Sequence, residues 1–594
     1  MAPPRNFANY PDPVEGPDTG YTEREDHNPV LRGLPLVLGA SLISNVKFVA
    51  RYFWRNGRMG TTKDIPDLRD MPPTFHPCVT PLGENAPMLD LSPDLLSAKY
   101  TDPKARYYSI SDYHVLYKSG KATPRDVVVA LLDLTTKSDE YGGAWADYHG
   151  AESLVLLAAD ASTARWAAGK PLGIMDGVPI GVKDDTDVQG FVNHAGMKYR
   201  PDVPCFAARE ESCWPVRALQ DAGAIVIGKN KMHEIGSDLS GLNVNQGTPV
   251  NHHNKLYYPG GSSNGAGSSI SAGVVPFAVC TDSGGSIRIP ASYNGVYGLK
   301  PSHHRTMVMA STSCIVGPMA ANVADLTIAY RFMSQPDPDC STQSLFALSI
   351  PPEPSAKRYL GVYRSWFDIA DPRTRETCDR ALGYFASKRG YEVVDITIPY
   401  LSEAQVAHAG ICMTEMAEQA RTRTADPADW LSLVGAPNKL FLSVGAETPA
   451  RDFLKYNSMR TLMMRHLAFL FRKYPGLLIV TPATPAIGWP KAAGDEAHGV
   501  NDSNRTLRSM AFIFLANLTG TPSVSAPVGY VDPDQGEGKM PVSLLATGEW
   551  GSEEQLLAWA AEAEEYLHTE YDEGRKRPES WVDVFGLAAQ KSDS

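Results

Sequence analysis

The sequence Asp282-Ser-Gly-Gly-Ser-Ile-Arg-Ile-Pro-Ala places Ser286 directly behind a Ser-Gly-Gly run. Adjacent glycines let several backbone N–H groups point at one position, and such an arrangement can bind a developing oxyanion. A serine there has the surroundings that an acyl-transfer nucleophile needs. An earlier run, Pro259-Gly-Gly-Ser-Ser-Asn-Gly, places Ser262 in a second turn flanked by glycines. Glycine permits backbone conformations there that other residues rarely adopt.

The hydroxyl of Ser286 is a weak nucleophile and requires a base. None of the 14 histidines lies between Ser262 and Ser286. Lys183 follows the apolar run Val178-Pro-Ile-Gly-Val, which is typical of a short buried strand. Burial disfavours an ammonium group and favours the neutral amine, which accepts protons. We therefore expect Lys183 to be the base, although a structural ion pair with a neighbouring aspartate is the alternative.

Short apolar segments alternate with helical segments along the chain, which predicts an α/β fold. Residues 177–183 and 224–228 have the length and composition of buried strands. Helices are predicted over residues 109–117, 123–132 and 151–168. Thr123 is a candidate N-cap, and Pro124 suits the first helical position.

Residues 34–54 are the most apolar segment near the N-terminus. The spacing of five apolar residues predicts one amphipathic helix: Leu38, Leu42, Val46, Val49 and Phe53. We expect this stripe to pack on the protein body, and a peripheral membrane contact or an oligomer interface is the alternative. Polar residues interrupt the segment, so a membrane span is not expected.

Composition excludes several classes of protein. Asp and Glu outnumber Lys and Arg by 67 to 55, and the net charge of −12 argues against a nucleic-acid partner. The 8 cysteines are scattered and form no cluster at zinc spacing, so we expect free thiols, no metal ion and no organic cofactor. Residues 1–28 lack the pattern of a signal peptide, and we expect a cytoplasmic protein.

Together these motifs resemble the amidase signature family. The resemblance rests on its lysine motif (residues 177–185), its first serine motif (260–265) and its nucleophile motif (282–291). Further blocks match at residues 222–234, 297–302 and 517–529, so the resemblance covers roughly residues 100–570. Asn264 departs from the family pattern, which usually has glycine at that position.

The resemblance implies an α/β fold with a large mixed central β-sheet covered by helices on both faces. It implies a triad in which Ser286 is the nucleophile, Ser262 is a bridging serine in the cis conformation, and Lys183 is the base. It places the oxyanion hole at the backbone N–H groups of Ser283, Gly284, Gly285 and Ser286, and it places Gly236 in the substrate cleft. From the sequence we expect Asp282 and Arg288 to form a structural pair that holds the nucleophile loop.

The implied activity is hydrolysis of a small-molecule amide or ester through an acyl-enzyme, by a free-standing enzyme that resembles acetamidase-like general amidases. The alternatives are an esterase or carbamate hydrolase with the same triad, a partner-dependent amidotransferase subunit, and an inactive binding homologue. Gly261-Ser-Ser-Asn-Gly also fits the nucleophile elbow of α/β-hydrolases, with Ser263 as nucleophile. That motif requires a preceding strand, which residues 251–260 do not resemble.

A long N-terminal segment lies outside the region that resembles the family. We predict two parts: an N-terminal helical and extended extension over residues 1–97, and a catalytic domain over residues 98–594. The extension is a candidate cover for the active site or a site of assembly. A homodimer is left open.

Overall fold

The computed structural model describes residues 6–592, apart from residues 25–26, 84–90, 92, 97–98, 101 and 348–356. The predicted boundary between residues 97 and 98 lies outside this part of the chain. In chain order the strands are β1 (Asn6–Ala8), β2 (Leu31–Arg32), β3 (Thr80–Leu82), β4 (Pro179–Lys183), β5 (Ile225–Asn230), β6 (Tyr257–Tyr258), β7 (Phe277–Asp282), β8 (Tyr297–Lys300), β9 (Ile315–Ala320), β10 (Arg358–Val362), β11 (Tyr391–Asp395), β12 (Leu477–Pro482), β13 (Trp489–Pro490), β14 (Val500–Asn501), β15 (Ser523–Val531) and β16 (Met540–Thr547).

The helices include all three that the sequence predicts between residues 109 and 168. They are α1 (Gly33–Asn45), α2 (Lys47–Asn56), α3 (Ile110–Lys118), α4 (Pro124–Lys137), α5 (Asp139–Gly142), α6 (Glu152–Ala167), α7 (Trp214–Asp221), α8 (Asn264–Ser271), α9 (Arg288–Tyr293), α10 (Val323–Met333), α11 (Arg364–Phe367), α12 (Pro372–Lys388), α13 (Leu401–Thr422), α14 (Ala436–Gly445), α15 (Ala450–Lys473), α16 (Asp495–His498), α17 (Ser503–Ser509), α18 (Phe514–Thr519), α19 (Glu553–Thr569) and α20 (Val584–Ser592).

Ten strands form one mixed sheet in the order β11-β10-β12-β16-β15-β8-β9-β7-β4-β5. The outer pairs, such as β10 with β11 and β4 with β5, are parallel. The central pairs, such as β15 with β16 and β8 with β9, are antiparallel. The predicted α/β class and the large mixed sheet are confirmed.

Both faces of the sheet are buried. Alternate residues of a strand point to opposite faces, and on two strands such residues belong to two different hydrophobic clusters. On β16, Leu544 and Ala546 belong to one hydrophobic cluster and Leu545 to another. On β12, Leu478 and Leu477 divide between the same two clusters. Helices therefore cover the sheet on both sides, as predicted, with α19 and α9 both in contact with β15.

The N-terminal segment differs from its prediction. The single helix predicted over residues 34–54 is wrong: α1 and α2 form a pair bent by 107°. Val46 between them is extended, with φ −121° and ψ 91°. The Asn45 side chain donates to the Ser41 carbonyl at 2.8 Å, and asparagine that bonds local backbone in this way competes with helix continuation.

The predicted packing of the apolar stripe is also wrong in part. Leu38 is 71% exposed and Leu42 is 53% exposed, whereas the buried residues of α1 are Leu36, Ala40 and Ile43. Of these, Ile43 packs in a hydrophobic cluster with Val444 of α14. The alternative, in which the exposed residues form a peripheral membrane contact or an oligomer interface, stays a prediction.

Within the part of the chain that the structure describes, no single helix is long and apolar enough to cross a membrane. The bent pair of α1 and α2 satisfies the length and composition criteria only when the two helices are taken together.

Candidate active site

The lysine and nucleophile motifs lie at one edge of the central sheet. Lys183 is the last residue of β4, and Asp282 is the last residue of β7. The two strands are parallel neighbours, with Val182 opposite Val279. Parallel strands bring their carboxyl ends to the same edge, which is where ligands bind in open α/β sheets. The sheet thus brings two distant motifs together.

Lys183 is buried, and its amine contacts three oxygen atoms. Nζ lies 2.8 Å from Ser262 Oγ, 2.7 Å from Thr281 Oγ1 and 3.2 Å from the Thr281 carbonyl oxygen. Asp185 Oδ2 is 3.6 Å away, and the Thr281 hydroxyl donates to that oxygen at 2.7 Å. The lysine is therefore in contact both with the predicted bridging serine and with the aspartate of the alternative hypothesis.

Ser262 lies in the turn that leads into α8, and it is fully enclosed. The peptide bond between Gly261 and Ser262 is cis. The N–H of the next residue, Ser263, donates to the Ser286 carbonyl at 3.2 Å. This bond joins the turn that carries Ser262 to the loop that carries Ser286, so all three predicted triad residues meet in one region.

A buried ion pair holds the nucleophile loop. Arg288 Nε and Nη2 donate to the two Asp282 carboxylate oxygens at 3.0 Å each, and neither side chain is exposed. Asn517 completes the set by donating to Asp282 and accepting from Arg288. Burial raises the pKa of the Asp282 carboxyl, but the paired guanidinium outweighs this effect and holds that pKa well below its usual range. The carboxylate stays ionised.

The ionised Asp282 also fixes the backbone of the predicted oxyanion loop. The Gly285 N–H donates to Asp282 Oδ1 at 2.7 Å, and the Ile287 N–H donates to Oδ2 at 3.1 Å. Gly285 has φ +113°, and a Cβ there would lie 2.5 Å from an Ile513 methyl carbon. Glycine is therefore required at this position. Of the four N–H groups predicted for the oxyanion hole, that of Gly285 is therefore already bound to the carboxylate.

Two residues at the site were not found from the sequence. Thr281 directly precedes Asp282 on β7. The only signal that could have identified it is its place near the end of a strand that lies beside the strand of Lys183. His408 lies on α13, more than 100 residues away, and no local pattern distinguishes it. His408 Nε2 is 2.8 Å from the Ser283 carbonyl oxygen. That oxygen can only accept, so Nε2 carries the proton.

Burial lowers the pKa of His408 to about 4, so its imidazole is neutral near pH 7. A Cβ on Gly284 would lie 3.1 Å from the imidazole Cε1. The ring therefore packs directly against the predicted oxyanion loop. This contact fixes the Ser283 carbonyl on one side of the loop.

Gly236 lies beside the bridging serine. It has φ +80°, and a Cβ built on it would be 3.6 Å from Ser262 Oγ. Both Gly236 and Ser286 line the same cavity, together with Ser283 and Gly284. The predicted cleft residue and the nucleophile loop therefore face one space.

That cavity has a volume of about 220 Å³ and is lined by Ser286 and by residues of α13. Its walls are largely apolar, with contributions from α13, α14 and the N-terminal segment. Its apolar lining includes Phe53, Met59, Val406, Ala409, Met413, Met416 and Phe441. A concave, mainly apolar pocket with a few polar groups at one end is typical of a small-molecule site.

The structure does not favour the α/β-hydrolase elbow at Ser263. The strand before it, β6, has two residues and pairs with β13 outside the ten-stranded sheet. An elbow requires a sheet strand immediately before the serine. The Lys183 amine contacts the hydroxyl of Ser262, at 2.8 Å, rather than that of Ser263.

Comparisons with known proteins agree with this geometry. The Amidase family model matches residues 128–557. A fatty acid amide hydrolase from Medicago truncatula is 31% identical over 81% of this chain and 79% of that protein. A fatty acid amide hydrolase from Arabidopsis thaliana is 29% identical over 78% of this chain and 78% of that protein. The crystal structure of a bacterial aryl acylamidase of the amidase signature family shares the fold, with a TM-score of 0.66 and 20% identity over 82% of this chain and 99% of that one.

The mixed sheet and the buried lysine–serine contact define a serine-based hydrolase with the amidase signature fold. The chain belongs to the amidase family, and it is an amide hydrolase that acts on carbon–nitrogen bonds. The predicted likeness to acetamidase-type general amidases in particular stays a prediction.

Proposed function

We propose that Ser286 is the nucleophile, Ser262 the proton relay and Lys183 the base. The observation that carries this proposal is the 2.8 Å contact between two buried groups, the Lys183 amine and the Ser262 hydroxyl. Lys183 accepts a proton from Ser262 while Ser262 accepts one from Ser286, and the Ser286 oxygen attacks the amide carbonyl. The leaving amine then takes a proton back through Ser262, and water hydrolyses the acyl-enzyme.

The contacts of Lys183 orient its amine toward Ser262. The two oxygens of Thr281 accept from Nζ, at 2.7 and 3.2 Å. The third direction of the nitrogen faces Ser262 Oγ, from which the proton must come in this proposal. Thr281 is in this proposal a positioning residue, since it acts through the lysine.

The oxyanion is bound, in this proposal, by the N–H groups of Ser283, Gly284 and Ser286. The Gly285 N–H supports the loop through Asp282 instead. Backbone donors held rigidly in an enclosed site stabilise a developing charge without reorganisation. The ion pair of Asp282 with Arg288 and the bond from His408 to Ser283 supply that rigidity.

We further propose that the substrate is an amide with a long apolar acyl chain. The support is the apolar cavity that Ser286 lines together with α13, on which Val406, Ala409 and Met413 follow helical spacing on one face. The Medicago truncatula relative carries the name fatty acid amide hydrolase, which agrees with this substrate class.

The N-terminal extension, residues 1–97, completes this cavity in our proposal, and residues 98–594 form the catalytic domain. Phe53, Gly57 and Met59 line the cavity from the extension, and so do Arg24 and Leu31. The extension then determines how much of the acyl chain is buried.

The test is hydrolysis of unbranched primary amides from acetamide to hexadecanamide by the isolated full chain, with ammonia release as the readout. We expect kcat/KM to rise with acyl length and to fall by at least about 100-fold in Lys183→Ala, the loss typical of removing a general base. A profile that falls with acyl length contradicts the substrate class. Unchanged turnover in Lys183→Ala contradicts the triad.

The same assay distinguishes the alternatives that the sequence leaves open. Turnover by the isolated chain argues against a partner-dependent amidotransferase role, and matched esters reveal an esterase preference. We also propose a cytoplasmic location, because all eight cysteines are free thiols and therefore suit a reducing compartment. Cell fractionation tests it.

A further inference from the structure

Three imidazole side chains come together outside the proposed triad. His76 belongs to the extension just before β3, and His303 and His304 lie in the turn after β8. Among the residues that the structure describes, these three form a group of candidate metal ligands. One nitrogen of each ring lies within 4.8 Å of a nitrogen of each other ring. His76 Nδ1 and His303 Nε2 are 3.5 Å apart. Because 227 residues separate these two, no spacing pattern in the sequence shows the cluster.

One buried member of the cluster has a nitrogen without a partner. His303 and His304 are 1% and 7% exposed, and His304 Nε2 has no hydrogen-bond partner among the described residues. The nitrogen of His303 that faces His76 is Nε2. Buried polar atoms in proteins are nearly always paired, so each exception requires an explanation, and an ion is one.

The backbone brings the two adjacent rings to the same side. Neighbouring residues in extended chain point in opposite directions. His304 has φ +65°, a left-handed conformation that is uncommon for residues other than glycine. As a result the His303 and His304 rings are stacked, with centroids 4.0 Å apart.

The third member is held at its backbone, and its ring already faces the other two, with centroid distances of 5.8 Å to His303 and 5.2 Å to His304. Arg460 Nη1 donates to the carbonyls of Thr74 and Phe75, which fixes the chain just before His76. The His76 side chain itself is exposed. The cluster is therefore open to solvent on the side of His76.

We propose that His76, His303 and His304 bind a divalent late transition-metal ion such as Zn²⁺, with solvent at the fourth position. Zn–N bonds of about 2.0–2.1 Å in a tetrahedron place the nitrogens about 3.3–3.4 Å apart. The separation of His76 Nδ1 from His303 Nε2, 3.5 Å, is close to that value. The ligand nitrogens of all three rings lie within 4.8 Å of one another. Imidazole ligands suit Zn²⁺, Cu²⁺ and Ni²⁺ rather than Mg²⁺ or Ca²⁺.

The surrounding charges favour an ion with high affinity for imidazole. The Arg460 guanidinium acts on both His303 and His76, and Glu415 acts on His76 with the opposite sign. A weakly bound cation would be repelled by the guanidinium. An ion bound to all three rings ties the extension to the catalytic domain, so it stabilises the folded state, in which alone the three rings meet.

The test uses the full chain without a histidine tag, stripped with chelator and titrated with ZnCl2 by native mass spectrometry and calorimetry. We expect one Zn²⁺ per chain and a rise in the unfolding temperature. His76→Ala should weaken binding by at least about tenfold, the lower end of the loss that even outer-shell changes cause at metal sites. His498→Ala, which removes an exposed histidine on α16, is the matched control and should bind as the parent does.

Co²⁺ provides a second readout that is independent of stability. The parent should show the visible absorption of a tetrahedral Co²⁺ site, and His76→Ala should lose it while His498→Ala keeps it. Absence of Zn²⁺ uptake by the parent overturns the proposal. Equal affinity in His76→Ala and His498→Ala also overturns it, because the ion then binds elsewhere. Neither result bears on amide hydrolysis, so the two proposals fail separately.

Discussion

Replacing Ala409 by phenylalanine should shorten the acyl cavity without touching the triad. Ala409 follows His408 on α13 and lines the cavity beyond Ser286. A buried methylene contributes about 0.8 kcal/mol. Because 1.36 kcal/mol corresponds to a tenfold change in rate, each methylene that enters the cavity raises kcat/KM about fourfold. A ring at this position should exclude the methylenes beyond it.

If the ring excludes about four methylenes, the loss is about 3.2 kcal/mol, or about 200-fold in kcat/KM for the longest amides. Short amides such as acetamide should be hydrolysed at the parent rate. The assay is ammonia release over a series of acyl lengths. Gln419→Phe places the same ring on the exposed face of the same helix and serves as control. An Ala409→Phe variant with the chain-length profile of the parent refutes the proposed position of the acyl chain.

Three further changes test the supports of the site. Arg288→Met leaves the buried Asp282 carboxylate unpaired and should lower the free energy of unfolding in urea by about 3–5 kcal/mol. The control Arg364→Met removes the cation of an exposed ion pair and should lower it by about 1 kcal/mol or less. Burial lowers the pKa of His408 from 6.5 to about 4, so the unfolded chain binds a proton in that interval that the folded chain does not. The stability that neutral His408 contributes is complete above pH 6.5 and is lost as the pH falls toward 4. Glutamine has no proton to take up in this interval, so His408→Gln should lose less stability than the parent between pH 6.5 and 4. Thr281→Val should lower kcat by about tenfold or more at unchanged KM and shift the pH–rate profile, with Thr281→Ser restoring both; an unaltered profile would show that the threonine does not orient the base.

Local patterns predicted the parts of the fold that local interactions determine. The Thr123 side chain accepts from the Asp126 N–H, and Pro124 opens α4, as expected for an N-cap followed by proline. The buried strand that ends at Lys183 was likewise evident from its apolar run. The large mixed sheet, by contrast, was implied by the family resemblance rather than by periodicity.

Features that depend on contacts between distant segments were not predictable. The break at Val46 depends on how α1 packs on α14 and on a local Asn45 bond, and a helical apolar stripe contains neither piece of information. The contact of His408 with Ser283 joins residues 125 apart. The cavity wall contributed by Phe53 depends on where the extension folds back. Apart from the local Asn45 bond, these interactions join segments that are far apart in the sequence.

Intact-mass spectrometry after treatment with a fluorophosphonate probe tests the central claim most directly. The parent should gain one adduct, Ser286→Ala should gain none, and Ser263→Ala should be labelled as the parent is. This result would identify Ser286 as the acylated residue in an otherwise folded chain. A parent that stays unlabelled, or labelling that is lost only in Ser263→Ala, would contradict the assignment of the nucleophile.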